Sequence, residues 1–278
     1  MRDAKLAKTL FGRTYICRHN SKRKYPVDQQ YVKVVNANGI STISFYHPQS
    51  NSLPGALLME LGDTITRVSH DAQTRVIILK SDGEKAFCAG ASFDELIAIE
   101  DIRTGLKFFS GFAHVINAMR RSKKLIIGRV HQKAVGGGVG LASAVDYCFA
   151  TKSASIKLSE LAVGIGPFVV GPAVERKVGV SAMSQMAIDA SEWHSAEWAR
   201  EKGLYCQIFE TELQMDDAID KLAAKLASSN PEAMEELKKI FWRGTEDWDT
   251  LLVERAGISG RLVLSDFTRN AINKFKSR

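Results

Sequence analysis

The sequence has few cysteines, and their spacing suits neither cross-linking nor metal binding. Its 278 residues contain four cysteines, at positions 17, 88, 148 and 206, with no C-x-x-C pair, and its six histidines are scattered. A disulfide framework belongs mainly to small secreted domains, and a zinc site needs closely spaced ligands. We therefore expect reduced cysteines, no bound metal ion and a cytoplasmic protein.

Long hydrophobic runs are also missing. No uninterrupted apolar stretch approaches the roughly 20 residues that a membrane-spanning helix requires, so no membrane segment is expected. The composition is 45% hydrophobic and 25% charged, which is ordinary for a globular protein. A chain of this length is able to bury a substantial core.

Acidic residues are scarce at the start of the chain. The first 28 residues carry eight Lys and Arg against Asp3 and Asp28, which supplies most of the formal net charge of +7. A basic leader fits a transit peptide, a polyanion-binding arm or an unusual start; low serine content and Asp3 weaken the first. No aromatic-interleaved RNA-binding pattern accompanies the charge, so nucleic acid is not an expected partner.

Two glycine-containing loops are the most informative positive feature. Residues 85–91 (KAFCAGA) follow the strand-like run RVIIL, and residues 134–141 (AVGGGVGL) follow LIIGRV. Each loop leads into a helix-like segment, so both are expected at corresponding ends of neighbouring strands. Two backbone N–H groups would then be able to converge on one oxygen atom of a ligand.

Glycine explains how such a loop would bind an anion. Glycine permits tight turns and close approach of the backbone, and the first N–H groups of a helix lack partners within the helix. The bound group could be a carbonyl oxygen becoming an enolate, or a phosphate. No G-x-x-x-x-G-K-[ST] pattern supports a nucleotide site, and a plain tight turn is the alternative for a triple glycine considered alone.

With these loops, four further segments occur in an order that resembles the enoyl-CoA hydratase/isomerase family, the crotonase superfamily. The segments are residues 45–53, 146–150 (DYCFA), 158–167 (LSELAVGIGP) and 195–204 (SAEWAREKGL). The resemblance runs from about Tyr31 to the C-terminus. It implies an α/β protein whose core is a spiral of ββα turns, followed by a C-terminal helical region that mediates oligomerisation.

The expected organisation has three parts. Residues 1–30 form the basic extension, residues 31–200 the acyl-CoA-binding core, and residues 201–278 the helical region. Periodicity independently predicts a hairpin around residues 36–39, a helix over residues 54–68 and an almost entirely helical chain after Gly171. By resemblance, the helical region packs against neighbouring subunits to give a trimer or a dimer of trimers.

The resemblance also implies where an acyl-CoA thioester would bind. The N–H groups of Ala91 and Gly137 would hold the thioester oxygen as it becomes an enolate. Coenzyme A, bound as part of the substrate with no prosthetic group, would lie along the segment that begins at Ala89. Its other implied contacts are Ser92, which stands where an Asp is common in the family, and Phe93, Gly136 and Lys274.

Glu160 is the candidate proton carrier. It matches a catalytic glutamate of the family and lies in the apolar stretch LSELAVGI, where desolvation would raise the pKa of its carboxyl group. Read from the sequence without the resemblance, Glu160 fits a surface residue or a partner in a helix cap. Asp94 and Glu95 are weaker candidates, because acidic residues in the first helical turn usually match the helix dipole.

One departure from the family bears on the reaction. Typical hydratases carry a second glutamate two residues after the third glycine, and this position is Gly140. A single glutamate favours a double-bond shift, whereas residues 159–168 look most like hydratases of branched or dicarboxylic enoyl-CoAs, such as methylglutaconyl-CoA in leucine breakdown. We expect a hydratase or dehydratase acting on a 2-enoyl-CoA. The alternatives are an enoyl-CoA isomerase and a non-catalytic CoA-ester or RNA-binding protein on this scaffold.

The walls of the acyl site are harder to assign from sequence. Val139, Phe168 and Val169 are the candidate apolar lining, and Arg103 or Lys107 is a candidate partner for a distal carboxylate.

Overall fold

A six-stranded sheet forms the centre of the computed structural model, which describes residues 29–276. Strands β1 (Tyr31–Ala37) and β2 (Ile40–Tyr46) make an antiparallel hairpin whose register pairs Ala37 with Ile40. The turn residues Asn38 and Gly39 have φ angles of 51° and 78°. Positive φ at both turn positions matches the twist of two-residue hairpins, which explains the Asn-Gly pair there and confirms the predicted hairpin.

The remaining strands of this sheet run parallel to β2. Their spatial order is β1-β2-β3-β4-β6-β8, so the strands added along the chain extend the sheet in one direction. A separate two-stranded parallel sheet joins β5 to β7. The parallel strands are β3 (Val76–Ser81), β4 (Leu125–Val130), β5 (Ala134–Val135), β6 (Tyr147–Thr151), β7 (Ile156–Lys157) and β8 (Gln207–Phe209).

Helices cover this sheet and make up most of the C-terminal part. The helices before the end of the main sheet are α1 (Gly55–His70), α2 (Phe93–Ile97), α3 (Ile102–Arg121), α4 (Gly137–Ala144), α5 (Gly171–Ile188) and α6 (Ala196–Glu201). After it come α7 (Glu212–Ala227), α8 (Pro231–Phe241), α9 (Trp248–Leu262) and α10 (Asp266–Lys276). A short 3₁₀ turn, Leu161–Val163, lies between β7 and α5.

Helices α3 and α9 approach each other more closely than side chains would ordinarily permit. A Cβ atom built on Gly105 of α3 would lie 2.7 Å from the carbonyl oxygen of Gly260 in α9. A Cβ on Gly260 would likewise lie 2.7 Å from the backbone nitrogen of Leu106. The two glycines therefore permit direct backbone contact, which seats α9 against the core.

Most of the predicted helices are present. Within α5 the backbone leaves the helical conformation at Gly179, with φ 78° and ψ 160°. The chain after Gly171 was predicted to be almost entirely helical, and this prediction did not include β8, which pairs with β6. The main sheet thus extends beyond residue 200. The predictions for residues 1–28 concern a segment that lies outside the described residues.

The helices were also compared with the requirements for a membrane span. Within the described part of the chain, no helix combines the length and the apolar character needed to cross a bilayer.

Candidate active site

The two glycine loops, which follow the neighbouring strands β3 and β4, meet through their backbones. A β-bridge joins Cys88 to Ala134, and the N–H of Val135 donates to the carbonyl of Cys88 at 2.9 Å. Gly90 has φ 88°, and a Cβ there would lie 2.9 Å from the carbonyl oxygen of Val135. The loops are therefore held in register, and glycine at position 90 is required by both conformation and space.

The amide of Ala91 is turned away from the neighbouring backbone. Leu53 forms a parallel bridge with Ala91 through its N–H, which donates to Gly90 at 2.8 Å, and its carbonyl, which accepts from Ser92 at 3.3 Å. Neither hydrogen bond involves the N–H of Ala91, so this N–H points to the other side of the loop. Ala91 lines the cavity that lies between the two loops.

Gly137 places a second amide at the same cavity. It is the first residue of α4, where an N–H has no acceptor inside the helix. The preceding Gly136 has φ 51° and ψ −114°, and its own N–H donates to Lys157 at 2.8 Å. The N–H of Gly136 is thus hydrogen-bonded to β7, whereas the N–H of Gly137 belongs to the first residue of α4.

The cavity between these loops has a volume of about 100 Å³ and a predominantly apolar wall. Both loops, α2, α3, α9 and residues 159–170 contribute to it. Glu160 carries the one ionisable side chain among its lining residues. The wall comprises Ala89, Gly90, Ala91, Phe93, Leu96, Phe109, Phe112, Val135, Gly136, Gly137, Ser159, Glu160, Val163, Ile165, Gly166, Pro167, Phe168, Val169, Val170 and Ser259.

The carboxyl group of Glu160 is desolvated. The residue as a whole is half-buried, but its Oε2 atom is buried and has no hydrogen-bond partner among the described residues. Burial therefore raises the pKa of Glu160 to about 7. Near neutral pH such a group is able both to accept and to donate a proton.

Val170 fills the space beside Gly140, the position at which the second glutamate is absent. A Cβ atom at Gly140 would lie 2.6 Å from Cβ and from Cγ1 of Val170. Val170 also lines the cavity. Position 140 accordingly lacks both a carboxylate and the room for a side chain.

The structure brings most of the predicted site residues together. Ala89, Ala91, Phe93, Gly136, Gly137 and Glu160 all line the cavity. Ser92 does not; it is buried, and its hydroxyl caps α2 by accepting from the N–H of Glu95. Lys274 does not line it either, since it lies at an exposed position on α10.

The expected walls need correction. Phe168 and Val169 line the cavity, but Val139 is fully buried in the core and does not. Arg103 does not line the cavity, and Lys107 lines a separate groove together with Phe108 of α3. Ser259 is a lining residue that the sequence did not indicate, because only the packing of α9 against α3 brings it there.

The C-terminal helix supports the loop that carries Glu160. Gly164, with φ 80°, ends the 3₁₀ turn after Glu160. A Cβ at Gly164 would lie 2.5 Å from both the Phe267 ring and the Thr268 hydroxyl of α10. Helix α10 is thus packed directly against the turn that follows the candidate proton carrier.

Metal binding has no candidate cluster in the described residues. Between residues 29 and 276, no three His, Cys, Asp or Glu side chains come together as a metal site. Cys88 and Cys148 are buried free cysteines, and burial raises the pKa of the Cys88 thiol to about 12.

Comparison with solved structures identifies the fold. An enoyl-CoA hydratase from Bacillus halodurans superimposes with a TM-score of 0.81 at 18% identity, covering 88% of this chain and 99% of the other. An enoyl-CoA hydratase from Mycobacterium avium gives a TM-score of 0.76 at 24% identity, covering 88% and 96%. The chain is therefore an α/β protein of the crotonase fold, with a mixed main sheet and C-terminal helices.

Sequence comparison narrows this class. Residues 36–260 match the family model for enoyl-CoA hydratase/isomerase. The chain is 27% identical over 239 residues to the short-chain-enoyl-CoA hydratase of Clostridium acetobutylicum, covering 85% of this chain and 90% of the relative. It is 30% identical over 206 residues to the carnitinyl-CoA dehydratase of Escherichia coli K12, covering 73% and 76%. The chain belongs to the enoyl-CoA hydratase/isomerase family and is an enzyme of that family, whose substrates are acyl-CoA thioesters.

Proposed function

We propose that the protein catalyses reversible addition of water to a short 2-enoyl-CoA, with Glu160 as the proton carrier. The observation that carries this proposal is the buried carboxyl of Glu160, with a pKa of about 7, in an apolar cavity whose wall includes Ala91 and Gly137. A group of this kind is matched to proton transfer at neutral pH.

In the proposed reaction, the carboxylate of Glu160 takes a proton from a water molecule as the water oxygen bonds to C3 of the enoyl group. The C2–C3 π electrons move toward the thioester and form an enolate. Glu160 then returns the proton to C2, and the thioester carbonyl is restored. Atoms and charge balance with a single carboxyl group, so this route needs no second glutamate.

The enolate oxygen would accept hydrogen bonds from the N–H groups of Ala91 and Gly137. Loss of one such donor typically costs about 3–4 kcal/mol of transition-state stabilisation. Two arrangements support this assignment: the Leu53 bridge leaves the Ala91 amide unused, and Gly137 begins α4. Both amides are fixed by backbone contacts before substrate arrives, as preorganised stabilisation requires.

Coenzyme A would lie along the first loop, beside Ala89, Ala91 and Phe93, with Gly136 across the cavity. Ser92 would act through its cap of α2, which orders this segment. The role of Lys274 as a contact for a CoA phosphate stays a prediction. The cavity volume of about 100 Å³ favours a short acyl chain. It is smaller than the volume of about 150 Å³ of an engineered apolar protein cavity that binds benzene.

Double-bond isomerisation is the second candidate. It is favoured by Gly140 and Val170, which leave one carboxyl group where water addition in this family ordinarily uses two. Glu160 would then remove a proton from C2 of a 3-enoyl-CoA and return it to C4. Both reactions pass through a thioester enolate and use the same two amides.

Assembly into a trimer or a dimer of trimers remains part of the proposal. Support comes from large apolar side chains exposed on α8, at Leu237, Ile240 and Phe241. Spacings of three and four residues place them on one helix face. Cytoplasmic location remains a prediction, and a non-catalytic CoA-ester role and RNA association remain the alternatives. The last depends on residues 1–28.

Mass spectrometry of products formed in D₂O separates these functions. A panel of 2-enoyl-, 3-enoyl- and methylglutaconyl-CoA is incubated with the wild-type protein and with Glu160→Gln. Water addition to a 2-enoyl-CoA, lost in the variant, is the expected result. A double-bond shift with deuterium exchange and no added water would establish the isomerase instead. No reaction across the panel, with acyl-CoA still bound, would support the non-catalytic alternative.

A further inference from the structure

A second cavity adjoins the proposed acyl site behind one aromatic ring. Its volume is about 240 Å³, and Pro167 and Phe168 line both cavities. The Phe168 ring folds back over Gly166, where a Cβ atom would lie 2.4 Å from ring atom Cζ. Phe168 thus lies at the boundary between the two cavities.

The two cavities contain side chains from the same face of α9. Ser259 lines the first and Arg255 lines the second. Residues four apart on a helix are neighbours on its surface, displaced by about 6 Å along the axis. An acyl group in the first cavity would therefore meet Ser259 before it passed Phe168, and the guanidinium of Arg255 beyond that ring.

Arg255 is available to a ligand. It is half-buried, and no ion pair within the described residues involves it. Glu175 lines the same cavity but is exposed to solvent and makes no ion pair with Arg255. A guanidinium binds a carboxylate through two parallel hydrogen bonds, an arrangement that no neutral acyl end can reproduce.

We propose that the acyl site accepts an acyl-CoA with a second, distal carboxylate, which Arg255 binds in the second cavity while Phe168 moves aside as the partition. This proposal rests on the proposed function and assigns its acyl group. It gives the expected dicarboxylic substrate a cationic partner different from Arg103 and Lys107. The apolar first cavity holds the carbons between the thioester and the carboxylate.

The test compares methylglutaconyl-CoA with its neutral analogue, in which an isopropyl group replaces the distal carboxylate. Affinity is measured by calorimetry, and kcat/KM is measured on whichever thioester turns over. The proteins are wild type, Arg255→Gln, Arg255→Lys and Phe168→Ala. Arg261→Gln is the matched control, because Arg261 is an exposed arginine of the same helix that lines neither cavity.

We expect Arg255→Gln to weaken binding of methylglutaconyl-CoA by about tenfold or more, the usual scale for a hydrogen bond to a charged group, and to spare the neutral analogue. Arg255→Lys should fall between, because an ammonium lacks the planar fork. Phe168→Ala should raise the affinity for both thioesters by merging the cavities. Arg261→Gln should change neither.

Equal losses for both thioesters in Arg255→Gln, or no loss, would overturn the proposal. Preference of the wild type for the neutral analogue would do so as well. Since the readout includes binding, the proposal is tested even if neither thioester reacts. Turnover of the neutral analogue with no Arg255 effect would refute this inference and leave the proposed function standing.

Discussion

The carboxyl group of Glu160 lies against the backbone of Gly136. A Cβ atom at Gly136 would be 2.8 Å from Oε1 of Glu160 and 3.2 Å from its carboxyl carbon. Gly136 also takes φ 51° and ψ −114°, a conformation that L-residues avoid. The same glycine therefore makes the turn before the Gly137 amide and leaves the space that the candidate proton carrier occupies.

Replacing Glu160 by Gln should lower kcat by roughly 10²–10⁴-fold, the usual contribution of a positioned acid–base group. Affinity for acyl-CoA should change little, because the amide has nearly the same shape. Steady-state kinetics and calorimetry measure the two effects. Ser159→Ala, which alters the adjacent lining residue, is the control. An unchanged kcat in Glu160→Gln would remove Glu160 from the mechanism.

The rate should depend on pH through Glu160. The proposed reaction starts from its carboxylate, and burial raises the pKa of this group to about 7. The value of kcat/KM should therefore rise about tenfold per pH unit below that value and level off above it. A profile that falls with pH across this range would contradict a carboxylate base.

Stability should show the opposite trend with pH. Below pH 4.5, the ordinary value, Glu160 is protonated in both states; between 4.5 and about 7, only the folded state holds the proton. Stability therefore falls as pH rises through this range, by about 3 kcal/mol in total. Glu160→Gln removes this loss, so it should be more stable than wild type at pH 8 and not at pH 4. Denaturant titrations at both pH values measure this, and a pH-independent difference would count against a buried carboxyl.

Gly136→Ala should destabilise the fold by about 1–3 kcal/mol through its unfavourable backbone conformation. It should also reduce kcat sharply, since the new methyl group displaces the Glu160 carboxyl. Gly257→Ala is the matched control, because a Cβ in that part of α9 meets nothing within 4 Å. The control should gain about 0.5–1 kcal/mol from helix propensity and keep its activity. Wild-type kcat in Gly136→Ala would refute the close contact.

A buried ion pair attaches α8 to the sheet, and breaking it should be costly. Lys238 donates to Asp146 at 2.7 Å, with both side chains almost fully buried. Asp146 also accepts from the Trp242 indole and from the N–H of Ile126. Lys238→Met should lower the free energy of unfolding by about 3–5 kcal/mol, because Asp146 loses its cation.

The neighbouring Lys239 provides the control for this prediction. Its ion pairs with Glu235 and Glu236 are largely exposed, so Lys239→Met should cost less than about 1 kcal/mol. Urea titration of both variants makes the comparison. Equal, small losses would mean that Asp146 is sufficiently stabilised by its other two donors.

Local residue patterns predicted much of the fold. Asn38 and Gly39 predict a hairpin because few other residues adopt positive φ at both turn positions. Strand β8 was missed because three residues give no period, and its partner β6 lies more than fifty residues earlier in the chain.

The sequence by itself determined the two glycine loops, the position of Glu160 between hydrophobic neighbours and the absence of a carboxylate at position 140. These depend on residue types within a few positions of each other. Tertiary structure decided the burial of Glu160 Oε2, the occupation of the space beside Gly140 by Val170, and the arrival of Ser259 and Arg255 at adjoining cavities. Tertiary structure also places Ser92 and Val139 outside the cavity wall. The physical reason is that each depends on how closely distant segments pack, as α3 and α9 do through Gly105 and Gly260, and no local pattern encodes that distance.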